Sequence, residues 1–157
     1  DHLPSLELGY PAIRFTVGIE DYAHQHQDLR TENSRKYGDT VDEMDFPYLA
    51  RVTALNVALA RELADAPAAP ESVSIDGAVS SDTVVRWTPV KDAAAYRVHW
   101  RRADRNDWSD SRVVPSDAAN ELILPAIIVD DNFFGVSAIS ADGHESIVTF
   151  GGLPPAK

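Results

Sequence analysis

The pattern of apolar and polar positions changes character near residue 66. Beyond it, short alternating runs recur at 72–75, 83–87, 96–101, 121–124 and 134–139. Turn signals separate them, among them Lys91-Asp92-Ala93 and Ala141-Asp142-Gly143. Alternation at period two puts one face of each run inward, and several such strands at this spacing predict a small antiparallel sandwich. Val85 and Trp87 share a face of the 83–87 run, which predicts a buried Trp87. Trp108 lies in the polar run Asp107-Trp108-Ser109-Asp110. Two placements are open to it: an exposed or interdomain aromatic, or a ring folded over the sandwich.

Before residue 66 the pattern differs. Residues 12–16 read as a strand with Ile13 and Phe15 on one face, entered through the turn Gly9-Tyr10-Pro11. Residues 17–45 are polar and aperiodic, and a loop of that length is usually functional or disordered. Asp45-Phe46-Pro47 then opens a helix, Asp being a favoured cap and Pro being tolerated in the first turn. Tyr48, Val52, Leu55, Leu59 and Leu63 make an apolar stripe, with Arg51, Arg61, Glu62 and Asp65 on the other side, so a core-facing helix is expected. Two prolines in 67–70 favour extended, semi-rigid chain. The expected division is therefore 1–66, a linker at 67–70, and an all-β domain at 71–157.

Composition narrows the function classes. Lys and Arg number 14 against 25 Asp and Glu, a net charge of −11 over 157 residues, which opposes nucleic-acid backbones and anionic membranes. No cysteine is present, which removes disulfides and thiolate zinc sites. No apolar run reaches the length of a membrane span. Asp1-His2-Leu3-Pro4 is neither a start methionine nor a signal peptide, so the chain is expected to begin within a domain.

Candidate chemistry gathers at Tyr22-Ala23-His24-Gln25-His26-Gln27-Asp28. Neutral imidazole is the commonest metal ligand, and a carboxylate on its other nitrogen can orient it. The bland alternative is a pair of solvated loop histidines. Glu20, Glu32, Asp39 and Asp42 sit in no recognisable motif and read as solvated charges.

Two resemblances add to this reading. Thr83 to Val90, Ala95 to Arg101 and Phe134 to Ser146 resemble the second, third and sixth strands of a fibronectin type III-like domain. The tyrosine such domains often carry at the start of the sixth strand falls here on Asn132, so the corner hydrogen bond must be made differently or be absent. The front segment is similar to the C-terminal end of a zinc-dependent exopeptidase of the bacterial leucyl aminopeptidase and glutamate carboxypeptidase family. The motifs that carry the similarity are Asp1-His2-x-Pro4, Gly9 to Thr16, His24-x-x-x-Asp28, and Val41-Asp42 through Leu63.

That resemblance implies an αβ sheet flanked by helices and two zinc ions. It makes His24 a zinc ligand and Asp28 its orienting carboxylate, with His26 the competing ligand. It implies an aminopeptidase-like hydrolase acting on peptides and a secreted or periplasmic location. The bridging carboxylate and general base precede this segment in the family, so an upstream portion of the catalytic domain is the expected partner. The chain alone is expected to be inactive, and the stripe of its front segment to need that partner, or else a second copy of this chain, to cover it. A reading from another class is a non-catalytic module whose sandwich binds protein or glycan, with the front segment as a tether.

Overall fold

The computed structural model describes residues 2–8, 12 and 14–152. The chain divides into two compact units, Asp1–Val52 and Thr53–Lys157, with the boundary inside the long helix.

In the first unit, helix α1 spans Leu3–Glu7. The expected turn at Gly9-Tyr10-Pro11, and Ile13 of the expected strand, lie outside the described residues, as does Asp1. Arg14, Phe15 and Thr16 join no ladder, and Phe15 is exposed. An extended stretch needs a neighbour to satisfy its backbone, and the described residues supply none there. Within the long loop, β1 (Arg30–Glu32) and β2 (Arg35–Tyr37) form an antiparallel hairpin with Glu32 opposite Arg35. Asn33 and Ser34 both take positive φ, +51° and +62°, the turn geometry whose twist matches a two-residue hairpin.

Helix α2 (Phe46–Asp65) begins as its cap predicts: Asp45 Oδ1 accepts the Tyr48 N–H at 2.9 Å. The expectation that its stripe faces a core is not met within this chain. No α2 residue is buried, and Tyr48, Leu55 and Leu63 are among the exposed apolar side chains. The 3.6-residue period is present, but no described layer covers the face.

The second unit is a sandwich. Strands β3 (Val73–Asp76), β4 (Thr83–Trp87) and β7 (Glu121–Leu124) form one antiparallel sheet in the order β3-β4-β7. Strands β5 (Ala95–Arg102), β6 (Asp110–Pro115), β8 (Asn132–Ile139) and β9 (Thr149–Phe150) form the other, in the order β6-β5-β8-β9. This three-plus-four arrangement is the expected fibronectin type III-like sandwich. Its core is Val73, Ile75, Val85, Trp87, Tyr96, Val98, Val114, Leu124, Phe134, Val136 and Ala138. Trp87 is 5% exposed, with its ring 5.4 Å from that of Tyr96.

The corner left without a tyrosine is closed by the residue in its place. Asn132 Nδ2 donates to the Ile128 carbonyl, four residues upstream, at 2.9 Å. After β9 the chain crosses to the edge of the other sheet, where Gly152 N donates to Val73 O and Ile75 N to Gly152 O, each at 3.0 Å. Gly151 permits the crossing, because a Cβ there would lie 2.5 Å from Ile75 Cδ1.

On the outer face of the larger sheet, Trp108 folds over the sandwich, its ring 5.6 Å from His99 and 5.1 Å from Phe150. Beneath it His99 is 8% exposed. Its Nε2 lies 2.9 Å from Ser137 Oγ and 3.2 Å from Glu145 Oε1. Arg97 Nε donates to both Glu145 oxygens, and Ser137 Oγ donates to Oε1. Burial lowers the His99 pKa, outweighing the opposing pull of the Glu145 charge. Burial raises that of Glu145, but hydrogen bonds from Ser137 and Arg97 win and leave it lowered.

Two outcomes follow for the sandwich. Trp87→Ala should lower its stability by about 3–5 kcal/mol, measured by urea denaturation. With its folded pKa below the unfolded value of about 6.5, His99 resists protonation in the fold, so the unfolded chain binds the proton first. That contribution to stability is complete above about pH 6.5 and is lost as pH falls through the folded value, with Glu145 acting in the same sense lower down. Denaturation between pH 7 and 5 should show a slope that His99→Gln removes; an unchanged slope would assign it to other groups.

Candidate functional site

The loop holding the histidines is built from hydrogen bonds rather than packing. Asp21 Oδ1 accepts the Ala23 N–H at 2.9 Å, the local side-chain-to-backbone bond by which aspartate nucleates turns. Asp21 O accepts from His24 N at 3.1 Å, closing the turn. Arg35 of the hairpin reaches back to Asp21 Oδ1 at 3.0 Å. The Asp21 carboxyl is held below its ordinary range, chiefly by the Ala23 N–H and further by the Arg35 charge. Arg30 and Arg35 lie over the Tyr37 ring, 4.1 and 5.7 Å from its centroid, which stiffens the hairpin.

Ala23 is buried at the centre of this loop, and Gly38, the residue after β2, donates its N–H to the Ala23 carbonyl at 3.1 Å. The side chain of His24 is 23% exposed. Its Nδ1 lies 3.2 Å from the Gly38 carbonyl oxygen, and Nε2 stands 3.8 Å from Asp21 Oδ2 and 3.9 Å from Glu43 Oε2. A carbonyl only accepts, so in the neutral ring Nδ1 carries the proton and Nε2 is the bare nitrogen, facing the two carboxylates.

A cavity of about 480 Å3 opens beside it, lined by His24, Gln25 and four acids, Glu20, Asp21, Asp39 and Glu43, with Val17, Ile19, Thr40 and Met44. No Lys or Arg lines it, so its field favours a cation. Gln25 Oε1 is buried and has no hydrogen-bond partner.

The structure separates the other candidates. His26 is exposed, in the left-handed region at φ +54°, and its backbone N–H donates to Asp39 Oδ2 at 3.3 Å. Asp28 is exposed; its backbone carbonyl accepts from Arg30, and the His24 nitrogen expected to meet its carboxylate meets Gly38 instead. Among the described residues no group of three or more His, Asp or Glu side chains is placed to hold a metal ion. His24 therefore fits zinc as one ligand with a free Nε2, and the described residues do not complete a site. Sequence reasoning missed the hairpin, Gly38 and Glu43. The signal available for the first was Asn33-Ser34, a weak turn pair without the usual glycine.

Comparison with known proteins gives the following. No family model matches the chain. It is 38% identical over 149 residues to a protein named "Probable zinc metalloprotease" from Pyrenophora tritici-repentis, covering 93% of this chain and 30% of that protein. A protein of the same description from Leptosphaeria maculans is 39% identical over 149 residues, covering 93% of this chain and 34% of that one. One from Pyricularia oryzae is 34% identical over 157 residues, covering 95% and 31%. The chain thus spans about a third of the length of the curated relatives it matches. These relatives are fungal, whereas the sequence resemblance pointed to bacterial proteins.

Among solved structures, the fn3 domain of human contactin 1 is 25% identical with a TM-score of 0.45, covering 59% of this chain and 87% of that domain. An Fn3-like protein from Clostridium thermocellum is 17% identical with a TM-score of 0.46, covering 59% and 99%. Among the described residues no helix is long and apolar enough to cross a membrane.

The turn at Asp21 can be tested directly. Asp21→Ala removes the acceptor of Ala23 N–H and the partner of Arg35, so amide exchange at Ala23 and His24 should quicken. Exchange in β4, β5 and β8 should not change. Equal protection of Ala23 in both proteins would show that the turn does not depend on this carboxylate.

Proposed function

We propose that this chain is the C-terminal portion of a zinc-dependent metallopeptidase, in which His24 supplies one zinc ligand and the sandwich is an accessory domain. In this reading residues 1–66 complete the catalytic domain, 67–70 form a linker, and 71–157 form the fibronectin type III-like unit. The observation that carries it is the His24 ring, with Nδ1 on a backbone carbonyl and Nε2 bare beside an acidic cavity. The match of 93% of the chain to proteins named zinc metalloproteases supports the same chemistry.

The motif order along the front segment favours the finer reading, an aminopeptidase-like enzyme that removes N-terminal residues from peptides and carries two zinc ions. A location outside the cytoplasm rests on that resemblance alone.

Zinc, when bound, polarises the scissile carbonyl and makes hydroxide available from water near neutral pH. His24 acts as a neutral ligand, which leaves the metal's positive charge undiminished. Asp21 and Glu43 lie close to Nε2 and add to the field that favours a cation there. The upstream portion supplies the general base and the remaining ligands. It also supplies the surface that α2 lacks: burying Tyr48, Leu55 and Leu63 would contribute roughly 1.5–3 kcal/mol for each side chain. Asp28 is exposed in this chain; an orienting role for it would require the loop to move when that portion is present.

The experiment is zinc analysis and aminoacyl-anilide hydrolysis by the intact protein. His24→Ala should lose one zinc per molecule and nearly all activity, while His26→Ala keeps both. Loss of zinc in His26→Ala with retention in His24→Ala would reverse the assignment. A zinc-free, inactive intact protein would leave a non-catalytic binding module.

A further inference from the structure

Resting on the reading of His24 as a zinc ligand, we propose that Gly38 is its positioning residue: the Gly38 carbonyl holds the His24 Nδ1 proton and keeps Nε2 bare for the metal. A neutral imidazole has two tautomers, and only the one protonated at Nδ1 can give Nε2 to a cation. The choice between them is set by what the other nitrogen meets. Here it meets an acceptor at 3.2 Å that has no proton to give. On the far side the carboxylate oxygens of Asp21 and Glu43 stand at 3.8 and 3.9 Å, beyond hydrogen-bond distance, so Nδ1 is the ring nitrogen with an acceptor in reach.

Both peptide groups of Gly38 take part. Its N–H donates to Ala23 O at 3.1 Å while its carbonyl takes the His24 ring, so one residue grips two successive residues of the loop. The grip needs glycine on two counts. Its φ is +112°, a conformation that side chains disfavour. A Cβ would also lie 2.5 Å from Leu29 Cδ2 and 3.0 Å from Leu29 Cα. The first neighbour could turn aside, but the second is backbone and would force Gly38 itself to shift, carrying its carbonyl off the ring.

This assigns a purpose to a hairpin that buries nothing of its own. Strand β2 ends at Tyr37, directly before Gly38. The cross-strand pairs from Arg30–Tyr37 to Glu32–Arg35 and the Arg35–Asp21 ion pair fix where that strand ends. The hairpin is thus a rigid arm that delivers one carbonyl to one imidazole.

The test is 15N nuclear magnetic resonance of histidine-labelled, metal-free intact protein, with His24 identified by the signals lost in His24→Gln. Wild-type His24 should show a protonated Nδ1 and a bare Nε2. Gly38→Ala should mix the tautomers and weaken zinc binding about 10–100-fold, the usual cost of removing such a partner. Leu29→Ala, which leaves the Gly38 backbone in place, should keep both. The His99 signals serve as the internal check that the sandwich is unchanged.

If Gly38→Ala disrupts the loop altogether, the wild-type spectrum still decides: a proton on Nε2 overturns the inference. So does a Gly38→Ala protein that retains both tautomer and affinity. Zinc binding that ignores His24→Ala overturns the ligand assignment and this inference with it. A His24-dependent zinc affinity together with an Nε2–H tautomer overturns this inference alone.

Discussion

Residues 2–66 have one buried apolar side chain among the described residues, that of Ala23, and the conformation of the front segment follows from that scarcity. Without a core, its loop is fixed by directional interactions. Asp21 caps the turn, Arg35 ties it to the hairpin, and Gly38 joins hairpin to loop through both of its backbone polar groups. Each such bond contributes only about 0.5–1.5 kcal/mol net, and the ion pair lies in solvent where screening weakens it. Such a set can orient a side chain, but it is a weak basis for an independent fold. The exposed stripe on α2 states the same deficit in apolar terms, because a twenty-residue amphipathic helix with nothing buried calls for another layer.

The sandwich has the opposite balance. Eleven apolar side chains from both sheets form its core, and its polar groups are placed where packing alone would leave backbone unpaired. Asn132 closes the corner between the sheets, Thr83 Oγ1 donates to the Ile127 carbonyl at 2.6 Å, and the Tyr96 hydroxyl accepts the Val90 N–H at 2.7 Å. The His99, Ser137, Glu145 and Arg97 cluster lies on the outer face, under Trp108, rather than in the core. A buried imidazole is tolerable there because Ser137 and Glu145 satisfy its Nε2.

The contrast explains what the sequence could disclose. The 83–87 and 121–124 strands appear at their expected bounds because alternation of buried and open positions is itself the signal. Strand β6 was hidden, since its residues are exposed except Val114, and β9 is too short to have a period. In the front segment the α2 cap and stripe were legible as local patterns. The hairpin was not, because Arg-Thr-Glu and Arg-Lys-Tyr carry charge in both strands. Gly38 as the partner of His24 was beyond reach for another reason. A carbonyl is common to every residue, and only the fold chooses which one meets a ring fourteen positions away.

The proline stretch between helix and sandwich is tied down at its C-terminal end. Two prolines predicted extended, semi-rigid chain, and Pro70 is buried with its carbonyl accepting from Thr149 Oγ1 at 2.6 Å. Earlier in the chain, Glu62 of α2 lies 3.2 Å from Nδ1 of His144 in the turn between β8 and β9. That turn is itself anchored, since the next residue is Glu145, held by Arg97 and Ser137. The C-terminal half of α2 therefore meets the sandwich through an exposed side-chain pair as well as through the chain. An exposed pair such as Glu62 with His144 adds little stability, whereas the Pro70 carbonyl bond fixes where the chain enters the sandwich. The stretch between helix and sandwich is therefore fixed at its sandwich end, and the Glu62–His144 pair is a weak tie between α2 and the β8–β9 turn.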